Sequence, residues 1–281
     1  MKIILSRKGF DSGYGGYASP IMPDGRLISL PIPLDDAVAY SDLLLDDDST
    51  YFHLMNELKS KIKLDKQLFN LNEKSKCHLD PDLRENIFKN KRPAGWKPSF
   101  GQIDAAQTHL ANQGVTIGDI FLFFGWFRKT EYCDGKFRFV RQEPNLHVIY
   151  GYLEIGKIIN TMKDKIPEWL SEHPHVKSKW RRLKPTNTIY VAADNLDGSK
   201  IKGAGTLKFN EELVLTKKGC SRAKWNLGDI FKKVNISYHS DASWKGSYFQ
   251  SVAKGQEFVI EDNAEISNWA IQLIEKYVEH N

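Results

Sequence analysis

Two long apolar runs in the middle of the chain limit its folds more than any other feature: VTIGDIFLFFGWFRKTE at 115–131 and HVIYGYLEIGKII at 147–159. Both are rich in the aromatic and β-branched residues that fill strands. KFRFV at 136–140 is a third strand candidate, and TIYVAAD, LVLTKKG and FVIED are others. Glycines within the long runs mark bends, so the pattern predicts a small, strongly bent sheet or barrel at about 115–160. Helical spacing occurs in YFHLMNELKSKI (51–62), where Phe52, Met55, Leu58 and Ile62 share a face. Asp47, Asp48 or Ser49 would cap that helix. FGQIDAAQTHLANQ (100–113), closed by Gly114, and AEISNWAIQLIEKYV (264–278) also read as helices. Strands and helices mix without regular βαβ alternation. The expectation is an α+β fold: a mixed, largely antiparallel bent sheet or small barrel with flanking helices. No repeat or low-complexity linker is evident, and the length allows one large domain or two small ones.

With 281 residues the chain can bury a sizeable core. A net charge of +5 permits an anionic partner without requiring one. No stretch approaches the roughly 18 apolar residues of a membrane helix, and the apolar run after Lys2 is too short for a signal peptide. No membrane partner is expected. Cys77, Cys133 and Cys220 are odd in number and form no CxxC pair, which fits a reduced cytoplasm.

The chemistry-bearing residues begin at the first strand. Ile3 to Leu5 deliver Ser6, Arg7 and Lys8 into a loop holding Asp11, Gly13, Gly15 and Gly16. Glycines let a backbone turn its N–H groups toward an anion, and two cations beside them suit a phosphate or carboxylate. A glycine-rich hairpin with solvated charges would look the same. His78, Asp80 and Asp82 form an H-x-D-x-D string. In an extended segment all three would share a side, where they could bind a divalent cation or hold a general base. The alternative is a polar turn capping a helix that begins near Pro81.

Other candidates are scattered. Gln102, Gln107 and His109 lie on or beside one predicted helix, where an amide can read a nucleobase edge. Trp126 and Arg128, two residues apart on a strand, would form a stacking platform for a base. Gln256 and Glu257 enter a strand from a turn, a place for an acid or base. His147 and Glu154 belong to the β-rich middle, and His239 with Asp241 is a weaker pair. His173 and His175 flank Pro174, a lone motif without an evident ligand cluster. The basic stretches 84–98 and 177–184 suit a phosphate backbone or solvated faces, and residues 35–48 are acidic. No Ser-His-Asp order, HExxH, P-loop or CxxC site is present.

The string SRKGFDSGYGGYASPIMPDGRLISLPIP, together with HLDPDL, FGQIDAAQTHL, GDIFLFFGWFR, HVIYGYLEIG, HPH, NTIYVA and GQEFV, resembles the nucleotide modification associated domain 3 family. The resemblance spans nearly the whole chain, which implies a single domain over 1–281 with its β-rich middle at about 115–160. It implies a role in nucleotide or DNA-base modification in bacteria and phages, with no settled reaction. Arg7, Lys8, Asp11, Asp80, Asp82, Gln102, Arg128, Gln256 and Glu257 match its polar motifs. The expected function is an enzyme acting on a nucleotide or a nucleic-acid base. Arg7 and Lys8, helped by the backbone at Gly15 and Gly16, would hold phosphate. Asp11, Asp80, Asp82 and Glu257 would serve as acid, base or metal ligands, and Gln102, Trp126, Arg128 and Gln256 would bind the substrate. His78, Asp80 and Asp82 could hold a divalent cation, and the cofactor is otherwise open. The alternative is a non-catalytic, PUA-like reader of modified bases in DNA or RNA.

Overall fold

A computed structural model of the chain describes residues 1–46, 49–65, 67–253 and 255–279. The cap candidates Asp47 and Asp48 lie outside the described residues. The main sheet has nine strands: β1 (Ile3–Arg7), β2 (Ser19–Ile21), β3 (Ser99–Gln102), β4 (Ile120–Cys133), β5 (Lys136–Phe139), β6 (Leu146–Asn160), β7 (Thr188–Ala192), β8 (Ala204–Thr206) and β9 (Glu257–Ile260). Its main path runs β9-β1-β4-β6-β7-β3, with β2 and β5 also on β4 and β8 on β6. β1 and β2 are parallel to β4; the other pairings are antiparallel. The fold is therefore α+β with a mixed sheet, and the sheet does not close into a barrel.

The long runs become the two central strands. Ile120 through Phe124 are fully buried, as are Val148, Ile149, Tyr152 and Leu153. A strand covered on both faces reads as a continuous apolar run rather than an alternating one. The pairing register shifts at Phe123/Phe124 and at Ile155/Lys157. Gly156 sits at the second shift, where a Cβ would lie 2.6 Å from Ala193 Cα. Backbones approach there because nothing projects between them. The terminal helix spans Ala264–Tyr277 and packs Ile266, Ala270, Leu273 and Ile274 into this core. Asn263 caps it by accepting from the amides of Glu265 and Ile266.

A second core gathers Phe10, Tyr17, Tyr40, Leu54, Met55 and Cys77, and a third joins Ile159, Leu170, Val176, Ile189 and Val191. The helix in the second core, Tyr51–Leu58, is shorter than its periodicity implied. Thr50 caps it. Lys59 turns extended, and Ile62 enters a strand at Lys61–Leu64 that pairs with Gln67–Asn70. Phe100 also leaves the expected helix, because Ser99–Gln102 adds to the sheet edge beside β7; the helix occupies only Asp104–Asn112. LVLTKKG forms isolated bridges rather than a strand. No helix begins at Pro81. Instead Asp82 exchanges backbone hydrogen bonds with Ser99 at 2.9 and 3.0 Å. Among the described residues no helix is long and apolar enough to cross a membrane.

The ring of Phe123 packs 5.3 Å from that of Phe100 and 5.8 Å from that of Phe121. Phe123→Ala should therefore lower the unfolding free energy by about 3–5 kcal/mol. Denaturant titration measures it, and a loss below about 1 kcal/mol would contradict a close-packed centre.

Candidate functional site

A cleft of about 790 Å³ opens beside the end of β1 and is lined by residues from most of the chain's length. At one end stands Asp80. Its buried carboxylate accepts the Gly101 amide at 2.9 Å on Oδ1 and 3.2 Å on Oδ2. His78 Nε2 and His175 Nε2 lie 3.7 and 3.3 Å from Oδ2, and His173 Nε2 lies 3.8 Å from Oδ1. Burial opposes the charged form of Asp80, but the facing imidazoles, His175 first and then His78, prevail and hold its pKa well below the carboxylate range. Burial keeps His173 neutral, with its pKa down at about 3.

The fold supplies this end from three places. His78 and Asp80 sit in the loop after the short strand Lys76–Cys77, where the Asp80 amide donates to the His78 carbonyl at 3.0 Å. Gly101 belongs to β3, and His175 to a short helix at Pro174–Lys177 that starts on Pro174. Gly101 is the close-approach point. A Cβ there would stand 2.4 Å from the His175 ring. Behind the histidines, His78 Nδ1 is 2.7 Å from Asp36 Oδ2, and Asp36 Oδ1 accepts from Arg181 at 2.6 Å. His175 Nδ1 is 2.7 Å from Asn187 Oδ1. The donor atoms of His78, Asp80 and His175 all lie within 4.8 Å of one another, a separation that one metal ion can span.

The other end of the cleft is cationic. Arg7 donates to the carbonyls of Ala253 and Gly255 at 2.9 and 2.7 Å. Arg222 stands over the Trp126 ring, 3.9 Å from its centroid. Burial lowers the pKa of both guanidiniums; the charge of Arg7 lowers Arg222 further, and Asp11 opposes the shift in each. His147 lies in the same field. Burial first, then Arg222 and Arg7, push its pKa down to about 3. Two guanidiniums that repel each other in a concave, partly dehydrated place favour an anion between them. Lys8 lines the floor, 2.6 Å from Glu257 Oε1, which also accepts from Gln102 Nε2 at 2.7 Å. Among the described residues Glu257 Oε2 is buried without a hydrogen-bond partner.

Several expected residues do different work. Asp82 does not join His78 and Asp80. Its bridge to Ser99 turns the carboxylate onto Arg92, whose guanidinium is 4.6 and 4.3 Å from the Phe88 and Trp96 rings. There burial lifts the Asp82 pKa to about 6 against the pull of Arg92. Asp11 Oδ1 accepts the amides of Gly13 and Tyr14, both at 2.7 Å, and so closes its own loop. The Gly15 amide donates to Lys63 and the Gly16 amide to Asp11, so neither is free to cradle phosphate. Gly15 serves packing instead: at φ +83° its missing Cβ makes room for the Phe10 ring.

Arg128 donates to Val140 O at 2.7 Å, away from the cleft; the cation beside Trp126 is Arg222. Gln102, Trp126 and Gln256 do line the cleft. Gln107 accepts from Tyr190, His109 stacks on Tyr238, and Glu154 accepts the Asp197 amide. Asp36, Asn187 and Arg222 escaped sequence reasoning, and His175 appeared there without its partners.

The family model for nucleotide modification associated domain 3 matches residues 2–261, and the chain belongs to that family. The family's name implies a role in nucleotide modification and specifies no reaction. No curated protein and no solved structure matches the chain.

Gly101→Ala should displace the His175 ring at a cost of about 1–3 kcal/mol; an unchanged imidazole NMR signature for His175 would refute the close approach. A second expectation concerns pH. An unfolded His147 takes up a proton near pH 6.5, whereas the folded one does so only near 3. As pH falls through that window the unfolded state binds more protons and stability drops. The wild type should lose up to about 1.4 kcal/mol per pH unit more than His147→Gln. Denaturant titrations at several pH values decide it, and equal slopes would mean that His147 is not held neutral.

Proposed function

We propose that this member of the nucleotide modification associated domain 3 family is an enzyme acting on a nucleotide or a nucleic-acid base, with its active site in the cleft between Asp80 and Arg222. The observation that carries the reading is the division of one cleft into two chemically opposite ends. Arg7 and Arg222 form a cationic end, while Asp80 and its histidines gather at the other. A phosphorylated substrate bound at the cationic end projects its uncharged part along the cleft toward Asp80. Trp126, already under Arg222, presents an aromatic edge, and Gln102 and Gln256 offer amides.

In this reading Asp80 and the imidazoles carry the chemistry. Arg7 and Arg222 bind phosphate, and Glu257 positions Lys8 and Gln102 through its Oε1. Asp11 is a loop former. Both guanidiniums resist losing their protons across the physiological range, so phosphate affinity should follow salt more than pH.

Nucleosides and nucleotides from DNA, RNA and the free pool are compared by mass spectrometry in cells expressing the intact chain or Asp80→Asn. A species should appear or vanish with the intact chain and change by about 100-fold less with the variant. Identical profiles would overturn the reading. If the purified protein then retained DNA or RNA, a non-catalytic reader would replace it.

A further inference from the structure

We propose that His78 Nε2, His175 Nε2 and the Asp80 carboxylate are the three protein ligands of a divalent transition-metal ion whose remaining coordination positions face the cleft. The proposal rests on the reading of that cleft as the active site and gives it a cofactor. It differs from the set expected from sequence by exchanging Asp82 for His175.

The argument begins behind the ligands. Asp36 is a carboxylate already paired with Arg181, so it can only accept, and the 2.7 Å contact puts a hydrogen on His78 Nδ1. Asn187 is equally constrained. Its Nδ2 donates to Thr161 Oγ1 at 2.9 Å and to the His175 carbonyl at 2.7 Å. That leaves Oδ1 as the acceptor for His175 Nδ1. In its neutral form each ring therefore carries its lone pair on Nε2. Each Nε2 is directed at Asp80 Oδ2, an atom that itself has only lone pairs. With the rings neutral, two lone pairs and an anion converge on one point, an arrangement that a cation among them stabilises.

Distances separate a metal from a shared proton. A charge-assisted hydrogen bond from imidazolium to carboxylate closes to about 2.7–2.9 Å. The observed separations are 3.7 and 3.3 Å. Donors sharing one ion through bonds of about 2.0–2.2 Å stand roughly 3–3.5 Å apart; the His175 contact falls in that range and the His78 contact is slightly longer. The outer contacts match what metal-binding imidazoles use, with Nδ1–H held by a carboxylate in one case and a carbonyl oxygen in the other. His173 stays outside the set. Its Nδ1 accepts the His175 amide at 3.2 Å, so the hydrogen sits on Nε2 and no lone pair points inward. Two imidazoles with one carboxylate select Zn²⁺, Fe²⁺, Mn²⁺ or Co²⁺ over Mg²⁺ and Ca²⁺, which prefer all-oxygen sites. Three protein ligands leave positions open for water or substrate.

The full chain, stripped with a chelator, is titrated with Co²⁺ as an optical probe and then competed with Zn²⁺. The expected result is one equivalent per chain with visible absorption of a mixed nitrogen–oxygen site. Asp80→Asn and His175→Ala should abolish it, Asn187→Ala should weaken affinity by about 10–100-fold, and Asp82→Asn should leave it in place. Should the ligand variants fail to fold, Co²⁺ added to the wild type must shift the His78 and His175 imidazole resonances. No uptake, uptake of Mg²⁺ alone, uptake that folded Asp80→Asn and His175→Ala retain, or resonances that do not move would overturn the proposal. Metal uptake with unaltered nucleotide profiles would leave the site standing and remove the enzymatic reading; altered profiles without metal would do the reverse.

Discussion

The Asp80 carboxylate has a side chain only 3% exposed, and it cannot stay charged there without compensating groups around it. The groups around it come from parts of the chain that share no local structure. The Gly101 amide belongs to a sheet edge, and the imidazoles belong to a loop and a four-residue helix. Each is held in turn by something farther out, Asp36 with Arg181 on one flank and Asn187 with Thr161 on the other. The second core, the sheet edge and the third core are thus locked together through one polar centre. Breaking any arm would strand a buried charge, which costs more than an ordinary lost contact.

The architecture was largely legible because burial on both faces writes itself into composition. The runs at 115–131 and 147–159 read as strands and the stretch at 264–278 as a helix, and the structure forms strands at Ile120–Cys133 and Leu146–Asn160 and a helix at Ala264–Tyr277. The boundaries that failed were those where tertiary pairing overrode periodicity, at Ile62 and Phe100. Both side chains are apolar enough to serve either state, and a neighbouring strand decided between them.

The site was legible only in fragments. His78 and Asp80 were visible as a pair because they are two residues apart. His175 lies 95 residues beyond Asp80, and nothing local to HPH points back to it. Asp36 looked like one carboxylate among several in an acidic stretch, and Arg181 like one cation in a basic run. The fold selects one member of each run and buries the two together. Asp82 erred in the opposite direction. Strict alternation would have placed it beside Asp80, but its backbone is used to bridge Ser99 and its side chain goes to Arg92. Arg222 carried no motif at all, and only the packing over Trp126 gives it a role.

The ion pair between Lys8 and Glu257 joins residues 249 positions apart. During synthesis the first strand leaves the ribosome long before its neighbour β9 exists. Until then Lys8 has no counter-ion, Arg7 lacks the carbonyls of Ala253 and Gly255, and one edge of β1 stands open. A chain with contacts of such high sequence separation closes them late. The cleft floor is therefore among the last parts of the molecule to be completed, and a nascent or prematurely terminated chain carries the cations of the site without the pocket that would let them act.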